Sequence, residues 1–342
     1  MALSLPLLGH LDPAFIDAMD ATSDMLRKVW GTQNQRTLPL SATGSAGMEA
    51  AFVNTVRPGD VVVVAVNGLF GERMVEVASR HGADVIAVEH EYGTPVDVER
   101  VVTAHPNPQI IAAVHAETST GVVSNIQELG ANKGDALLLA DCVTSIGGMP
   151  IELDAWGVDI AYAGSQKCLG VAPGLAPFTI SERAYERRVE RPANWYLDLG
   201  LLGGYATGSP GGQRTYHHTA PTGMVVSLKA GLERIFAEGL DAVYTRHADA
   251  GKTLQDGLED MGLTLFAEQG SRLAQLTTVE VPDGIDSAAV RGYLMAKYNL
   301  EIGAGTGEYA ARIWRIGLMG PNATEANAHF VLAALQDALK NA

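Results

Sequence analysis

Asp141 closes the apolar run Leu137-Leu138-Leu139-Ala140, and Lys167 follows Ala163-Gly164-Ser165-Gln166, one strand-to-strand crossover further on. An acid and an amine at two neighbouring strand ends can hold opposite sides of a pyridine ring. Pyridoxal phosphate asks for that pair: a lysine to bond to it covalently, and a carboxylate that keeps the ring nitrogen protonated and the ring an electron sink. A lysine in a desolvated pocket loses basicity and gains nucleophilic character. Thr43-Gly44-Ser45 stands directly before a helical stretch. Two hydroxyls, a glycine that admits close approach and the positive end of a helix make a seat for a phosphate. Phe70, within Asn67-Gly68-Leu69-Phe70-Gly71, is the nearest aromatic at a strand end and can lie on a flat ring. Taken singly, these are a solvated lysine, a turn acid, a plain helix cap and a core phenylalanine. Their order and spacing together carry the chemistry.

The elements that must position them alternate strand and helix. Val61–Val66, 85–88, Ile110–Val114, 136–140 and 160–163 read as strands, and 12–29, 46–56 and 72–81 as helices. Asp12-Pro13 supplies the first helix with a cap and a first-turn proline. The strand runs are apolar without alternation, so both their faces are covered, as in a mostly parallel sheet sandwiched by helices. Ligands of such sheets bind beyond the carboxyl ends of the strands, where the polar residues above all sit. Residues 191–221 are long, weakly patterned and carry Gly and Pro, which marks a functional or interface segment. One or two helices follow over 224–260. A boundary near 225 divides the chain into a large unit, 1–225, and a smaller C-terminal α+β unit, 226–342. The smaller unit has expected strands at 274–281 and 313–318 and helices at Ser287–Tyr298 and 323–341.

The chain has 342 residues, 47% apolar and 18% charged, enough for two cores and against disorder. Lys and Arg number 24 against 39 Asp and Glu, a net charge of −15. That balance disfavours nucleic acid and membrane surfaces as partners. No apolar stretch reaches membrane-spanning length, and no basic-then-apolar leader opens the chain. Two cysteines, Cys142 and Cys168, form neither a disulfide framework nor a zinc site, and a reduced cytoplasmic setting is expected. Gly303-Ala304-Gly305-Thr306-Gly307 lacks the strand–turn–helix context of a nucleotide loop. His217-His218 lacks a third ligand, so no metal is expected.

The chain resembles the alanine/serine–glyoxylate aminotransferase group of the class V, fold-type I pyridoxal phosphate enzymes. The resemblance rests on Ser165-Gln166-Lys167-Cys168-Leu169, Asp141-Cys142-Val143-Thr144-Ser145-Ile146-Gly147-Gly148, Glu117-Thr118-Ser119-Thr120-Gly121 and Asn67-Gly68-Leu69-Phe70-Gly71. Tyr216-His217-His218-Thr219-Ala220-Pro221 and Arg315-Ile316-Gly317-Leu318-Met319-Gly320 extend it to the smaller unit. It implies a seven-stranded-type sheet and pyridoxal 5'-phosphate as cofactor. Lys167 is implied to bind the cofactor covalently and shuttle a proton, Asp141 to pair with the ring nitrogen, Val143 to pack under the ring and Phe70 to stack on it. Thr118 is implied at the phenolic oxygen side, and Thr43, Gly44, Ser45 and Gln166 at the phosphate. Tyr216 and Thr219 are implied to reach the phosphate of a neighbouring subunit, which makes a homodimer with shared sites. Arg315 is implied to clamp the substrate α-carboxylate, for which a planar guanidinium is suited. The family's Gly-Pro loop before the first helix has no counterpart in Met1–His10, so a shortened start or a more open pocket is expected.

The activity this implies is transfer of an amino group from alanine or serine to glyoxylate. An aspartate donor would want a second cation, for which Arg36, Arg214 and Arg312 are candidates. A ureidoglycine–glyoxylate transaminase is a near rival. A desulfurase would want a mobile cysteine in the smaller unit, where there is none; another class V lyase stays an alternative, and a non-enzymatic scaffold would have no use for Lys167, Asp141 and Arg315.

Overall fold

Every apolar run before residue 225 that was expected as a strand lies in one seven-stranded sheet of a computed structural model, which describes residues 2–4, 6–206 and 214–341. The order is Arg36–Leu40, Ala176–Ile180, Ile160–Tyr162, Leu137–Asp141, Ile110–Val114, Val61–Val66 and Asp84–Glu89. Ala176–Ile180 alone runs antiparallel to its neighbours. It and Arg36–Leu40 were not expected. Each carries a proline, which argues against a strand, yet Pro39 registers opposite Pro177. The two residues without an N–H therefore face each other.

Successive side chains of the central strands go to opposite cores. Val63, Ile111, Leu138 and Ala161 join a core with the helices Pro13–Trp30 and Thr222–Glu238. Val62, Ile110, Leu139 and Ile160 join a second core with the helices Gly44–Thr55 and Leu69–Arg80. Each fully buried Val, Ile or Leu contributes about 1.5–3 kcal/mol. These two cores hold the carboxyl edge of the sheet rigid beneath the candidate site. The first helix begins as expected: Asp12 Oδ1 accepts from Ala14 N–H at 2.8 Å, and Pro13 fills the first position. It ends at Gly31, φ 57°, where a Cβ would also lie 2.3 Å from a Glu152 oxygen.

The expected helical stretch 224–260 resolves into Thr222–Glu238 and Leu240–Asp260, broken at Gly239 with φ 94°. Thr222–Glu238 spans the expected boundary near 225. Beyond it, Leu276–Glu280, Ile313–Gly317 and Gly303–Ala304 form a small antiparallel sheet covered by Leu240–Asp260, Ser287–Tyr298 and Glu325–Asn341. The weakly patterned 191–221 segment contains a helix, Leu199–Ala206. Asn54 tethers its start, donating to Leu197 O at 2.7 Å and accepting from Leu199 N–H at 2.9 Å. Residues 207–213 of that segment lie outside the described residues. No helix among the described residues is long and apolar enough to cross a membrane.

Candidate active site

Asp141 is the last residue of its strand and registers beside Tyr162, the last residue of the next strand. The Tyr162 hydroxyl donates to Asp141 Oδ2 at 2.8 Å, and Val143 N–H donates to Oδ1 at 2.8 Å. Asp141 is 3% exposed. Burial, with a smaller push from Glu117, raises its pKa to about 7, although the two donors and Lys167 pull the other way. Among the described residues this carboxyl has two neutral donors and no ion-pair partner. A protonated ring nitrogen is the partner such a group lacks.

After the Ile160–Tyr162 strand the chain turns through Gly164 and Ser165 to Lys167. Ser165 closes the turn: its N–H donates to Leu175 O at 3.1 Å and its hydroxyl to Ala172 O at 2.8 Å. Lys167 is half-buried, and its amine has no hydrogen-bond or ion-pair partner among the described residues. Burial, and then the nearby charge of Arg315, hold its pKa below the ordinary lysine range.

Thr43 is the N-cap of Gly44–Thr55, in extended conformation, and its side chain makes no capping bond. The positive end of that helix is therefore open to an anion. A Cβ on Gly44 would lie 3.1 Å from Val143 Cγ2 and 3.3 Å from Ala163 O, so the helix start is pressed against the strand ends. Gln166 stands at the same wall, since a Cβ on Gly164 would lie 2.8 Å from Gln166 Oε1 and 3.3 Å from Val143 Cγ1. Thr43, Ser45 and Gln166 are exposed around this wall.

Phe70 lies in the first turn of Leu69–Arg80, three residues earlier than the helix was expected to begin. Buried Glu117 fixes that turn. Its Oε2 accepts from Phe70 N–H at 3.0 Å, and its Oε1 accepts from Ser119 N–H at 2.9 Å and Ser119 Oγ at 2.6 Å. Burial pushes the Glu117 carboxyl up, against those donors. A Cβ on Gly68 would lie 2.4 Å from Glu117 Cγ, which explains the glycine.

Arg315 lies on Ile313–Gly317, in the small antiparallel sheet. Its Nε donates to Ala304 O at 2.7 Å, and Nη1 makes a long contact of 3.4 Å with the carbonyl of buried Thr118. The glycine-rich segment thus begins as the short strand that holds Arg315. Further on, Tyr309 stacks on Tyr92, which follows the Asp84–Glu89 strand, with centroids 5.4 Å apart and planes at 22°. Tyr216 and Thr219 are placed differently. Tyr216 is 63% exposed, its hydroxyl 3.5 Å from Thr219 Oγ1 and its ring 5.4 Å from His10. Within one chain these are its partners among the described residues, and none belongs to the strand-end cluster. His217 and His218 bond each other at 2.8 Å, and no group of three metal-binding side chains occurs among the described residues.

Three residues of this region had no assigned role in the sequence: Tyr162, Glu117 and Arg73. Tyr162 carried a signal, being at a strand end beside Asp141, but strand register is needed to use it. The cysteines are inert by position. Burial raises Cys142 far above the thiol range and Cys168 to about 12.

A strand-end lysine and a buried acid beside an uncapped helix start, on a sheet of this order, are the marks of a fold-type I pyridoxal phosphate enzyme. The aminotransferase class-V family model matches residues 7–315. An alanine–glyoxylate aminotransferase of Drosophila melanogaster is 38% identical, over 99% of this chain and 88% of its own length. An (S)-ureidoglycine–glyoxylate transaminase of Bacillus subtilis is 36% identical, over 98% and 86%. The crystal structure of an alanine–glyoxylate aminotransferase from Nostoc sp. superimposes with a TM-score of 0.93 at 46% identity, covering 99% of this chain and 90% of that one. The chain belongs to the class V aminotransferases, transaminases that work with pyridoxal 5'-phosphate.

Proposed function

We propose that this transaminase moves the amino group of alanine or serine to glyoxylate, giving glycine and a 2-oxo acid. Glyoxylate is favoured because relatives whose names carry it match nearly the whole chain. The observation that carries the donor is the use made of the arginines. Arg36 is ion-paired with Glu182 and lies over Tyr185, and Arg214 is ion-paired with Asp20. Arg312 is exposed, 4.9 Å over the Tyr309 ring. Arg315 is the one of these four candidates that reaches Thr118, so a single clamp is offered and a donor with a single carboxylate suits it. The ureidoglycine reading is kept, because its Bacillus relative is nearly as similar as the fly enzyme. A panel of donors with glyoxylate, scored by glycine and oxo acid formed, tests both. Product from no donor overturns the proposal, and product from ureidoglycine alone selects the second reading.

In this reading Lys167 would hold the cofactor covalently, Asp141 would keep a proton on the ring nitrogen, and Val143 and Phe70 would pack against the ring. Thr118 faces the phenolic oxygen side, and Thr43, Gly44, Ser45 and Gln166 receive the phosphate. When bound, the cofactor supplies an electron-withdrawing ring that accepts the electron pair left when the donor's α-proton departs. Once the donor's amine has taken its place, the freed Lys167 Nζ would take that proton, a task suited to an amine held below its ordinary pKa by burial and by Arg315. Arg315 holds the donor's carboxylate, and its anchor on Ala304 keeps the fork oriented.

The same reading includes a homodimer in which Tyr216 and Thr219 complete the partner's phosphate site, and a division into units 1–225 and 226–342 joined through the Thr222–Glu238 helix. Exposed apolar side chains support the dimer. Leu3, Leu7, Leu11, Trp195, Tyr196 and Tyr216 lie on the N-terminal stretch and the 195–216 segment, which meet where Tyr205 donates to His10 O at 3.1 Å. Sedimentation at working concentration checks it; a fully active monomer overturns it.

A further inference from the structure

Arg73 lies one helical turn beyond Phe70, on the same face of Leu69–Arg80. Its guanidinium carbon is 5.1 Å from the Phe70 ring centroid, and its Nη1 is 3.4 Å from Ser45 Oγ. One side chain thereby links two elements: the helix that carries the candidate stacking ring and the helix start that forms the candidate phosphate seat. No carboxylate lies within ion-pair distance of Arg73 among the described residues. That is a meaningful omission in a chain of net charge −15, where acids outnumber cations. A dianion bound in such a field needs a local positive charge to offset it. Thr43, Gly44 and Ser45 offer hydroxyls and a helix end but no full charge of their own.

We propose that Arg73 is a positioning residue of the cofactor site. It braces Ser45, keeps Phe70 flat over the face of the ring it covers, and brings a cation to the phosphate seat. The proposal rests on the reading of Thr43–Ser45 as that seat and of Phe70 as the stacking residue. Arginine suits both tasks at once, because its planar fork can donate at its edge while its face lies on an aromatic ring. Lysine would keep the charge and lose the brace.

The test is equilibrium titration of the cofactor-free full chain with pyridoxal phosphate, read by the visible band and by tryptophan fluorescence, for wild type, Arg73→Ala, Arg73→Lys and Thr43→Val. Each is repeated with inorganic phosphate as competitor and with pyridoxal lacking the phosphate. Arg73→Ala is expected to raise the dissociation constant for pyridoxal phosphate about tenfold, with Arg73→Lys between it and wild type. Phosphate should compete less well in Arg73→Ala, and pyridoxal, which reports only the brace on Phe70, should lose less affinity than pyridoxal phosphate does. A denaturant midpoint for each cofactor-free protein establishes that it is folded, and Arg73→Lys serves where Arg73→Ala is not. Weakening by Thr43→Val without weakening by Arg73→Ala overturns the role of Arg73 and leaves the seat standing. No weakening by either variant overturns the seat itself. Equal weakening toward pyridoxal and pyridoxal phosphate, with phosphate competition unchanged, overturns the charge role.

Discussion

Replacing Asp141 by Asn isolates the physical demand that the site makes on its fold. Burial raises Asp141 from its ordinary 3.8 to about 7 in the cofactor-free chain. The folded chain therefore keeps a proton that the unfolded chain releases between those values. Stability from this group is present below the unfolded value and is lost as pH rises toward 7. At about 1.4 kcal/mol per unit, the ionised group weakens the cofactor-free fold by at most about 4 kcal/mol above pH 7. Asparagine cannot ionise, yet its carbonyl can still accept from Val143 N–H. Cofactor-free Asp141→Asn should thus exceed wild type in stability at pH 8 and differ far less at pH 5. With the cofactor bound the proposed role of Asp141 predicts the reverse order, because a neutral amide would not face a protonated ring nitrogen as a carboxylate would. Urea denaturation at the two pH values, with and without saturating pyridoxal phosphate, measures all four terms. A cofactor-free variant less stable than wild type at pH 8, or a gap that ignores pH, refutes the reasoning.

Arg315→Gln should raise KM for the amino donor at least about tenfold while leaving cofactor affinity near wild type, since a charged fork is lost from the substrate side. It also removes a charge that depresses Lys167, so the acid limb of kcat/KM against pH should move upward; an unmoved limb counts against the electrostatic link. Tyr162→Phe takes one of two donors from Asp141, a loss of about 1–3 kcal/mol for a buried charged acceptor. The pKa of Asp141 should rise further and cofactor affinity fall, both visible in a pH titration of binding. Gly68→Ala puts a Cβ 2.4 Å from Glu117 Cγ and must push back the first turn of Leu69–Arg80. The expected result is about 1–3 kcal/mol lost in urea denaturation, with weaker cofactor binding through Phe70; wild-type values for both would contradict the close approach.

Some of this protein was decided by sequence alone. Apolar runs such as Val61–Val66 and Ile110–Val114 can be buried on both faces only in a covered, mostly parallel sheet, and that sheet fixes the edge at which Asp141 and the turn to Lys167 must emerge. Thr43-Gly44-Ser45 was legible for the same reason, since a helix start exposes its N–H groups wherever it is placed. The prolines at 39 and 177 hid two strands, because their fit depends on each facing the other across a register that neither segment encodes by itself. Tyr162 beside Asp141, Glu117 under the N–H of Phe70, and Arg73 between Phe70 and Ser45 are likewise contacts between segments distant in the chain. The resemblance singled out Arg315, but Arg36, Arg214 and Arg312 could not be told apart by type. Only packing assigned Arg36 and Arg214 to outer ion pairs and carried Arg315 to Thr118. Local pattern specifies which backbone a segment can adopt and which edge its polar end meets. Which side chain a charge finally faces depends on the meeting of segments, and that is settled only when the cores close.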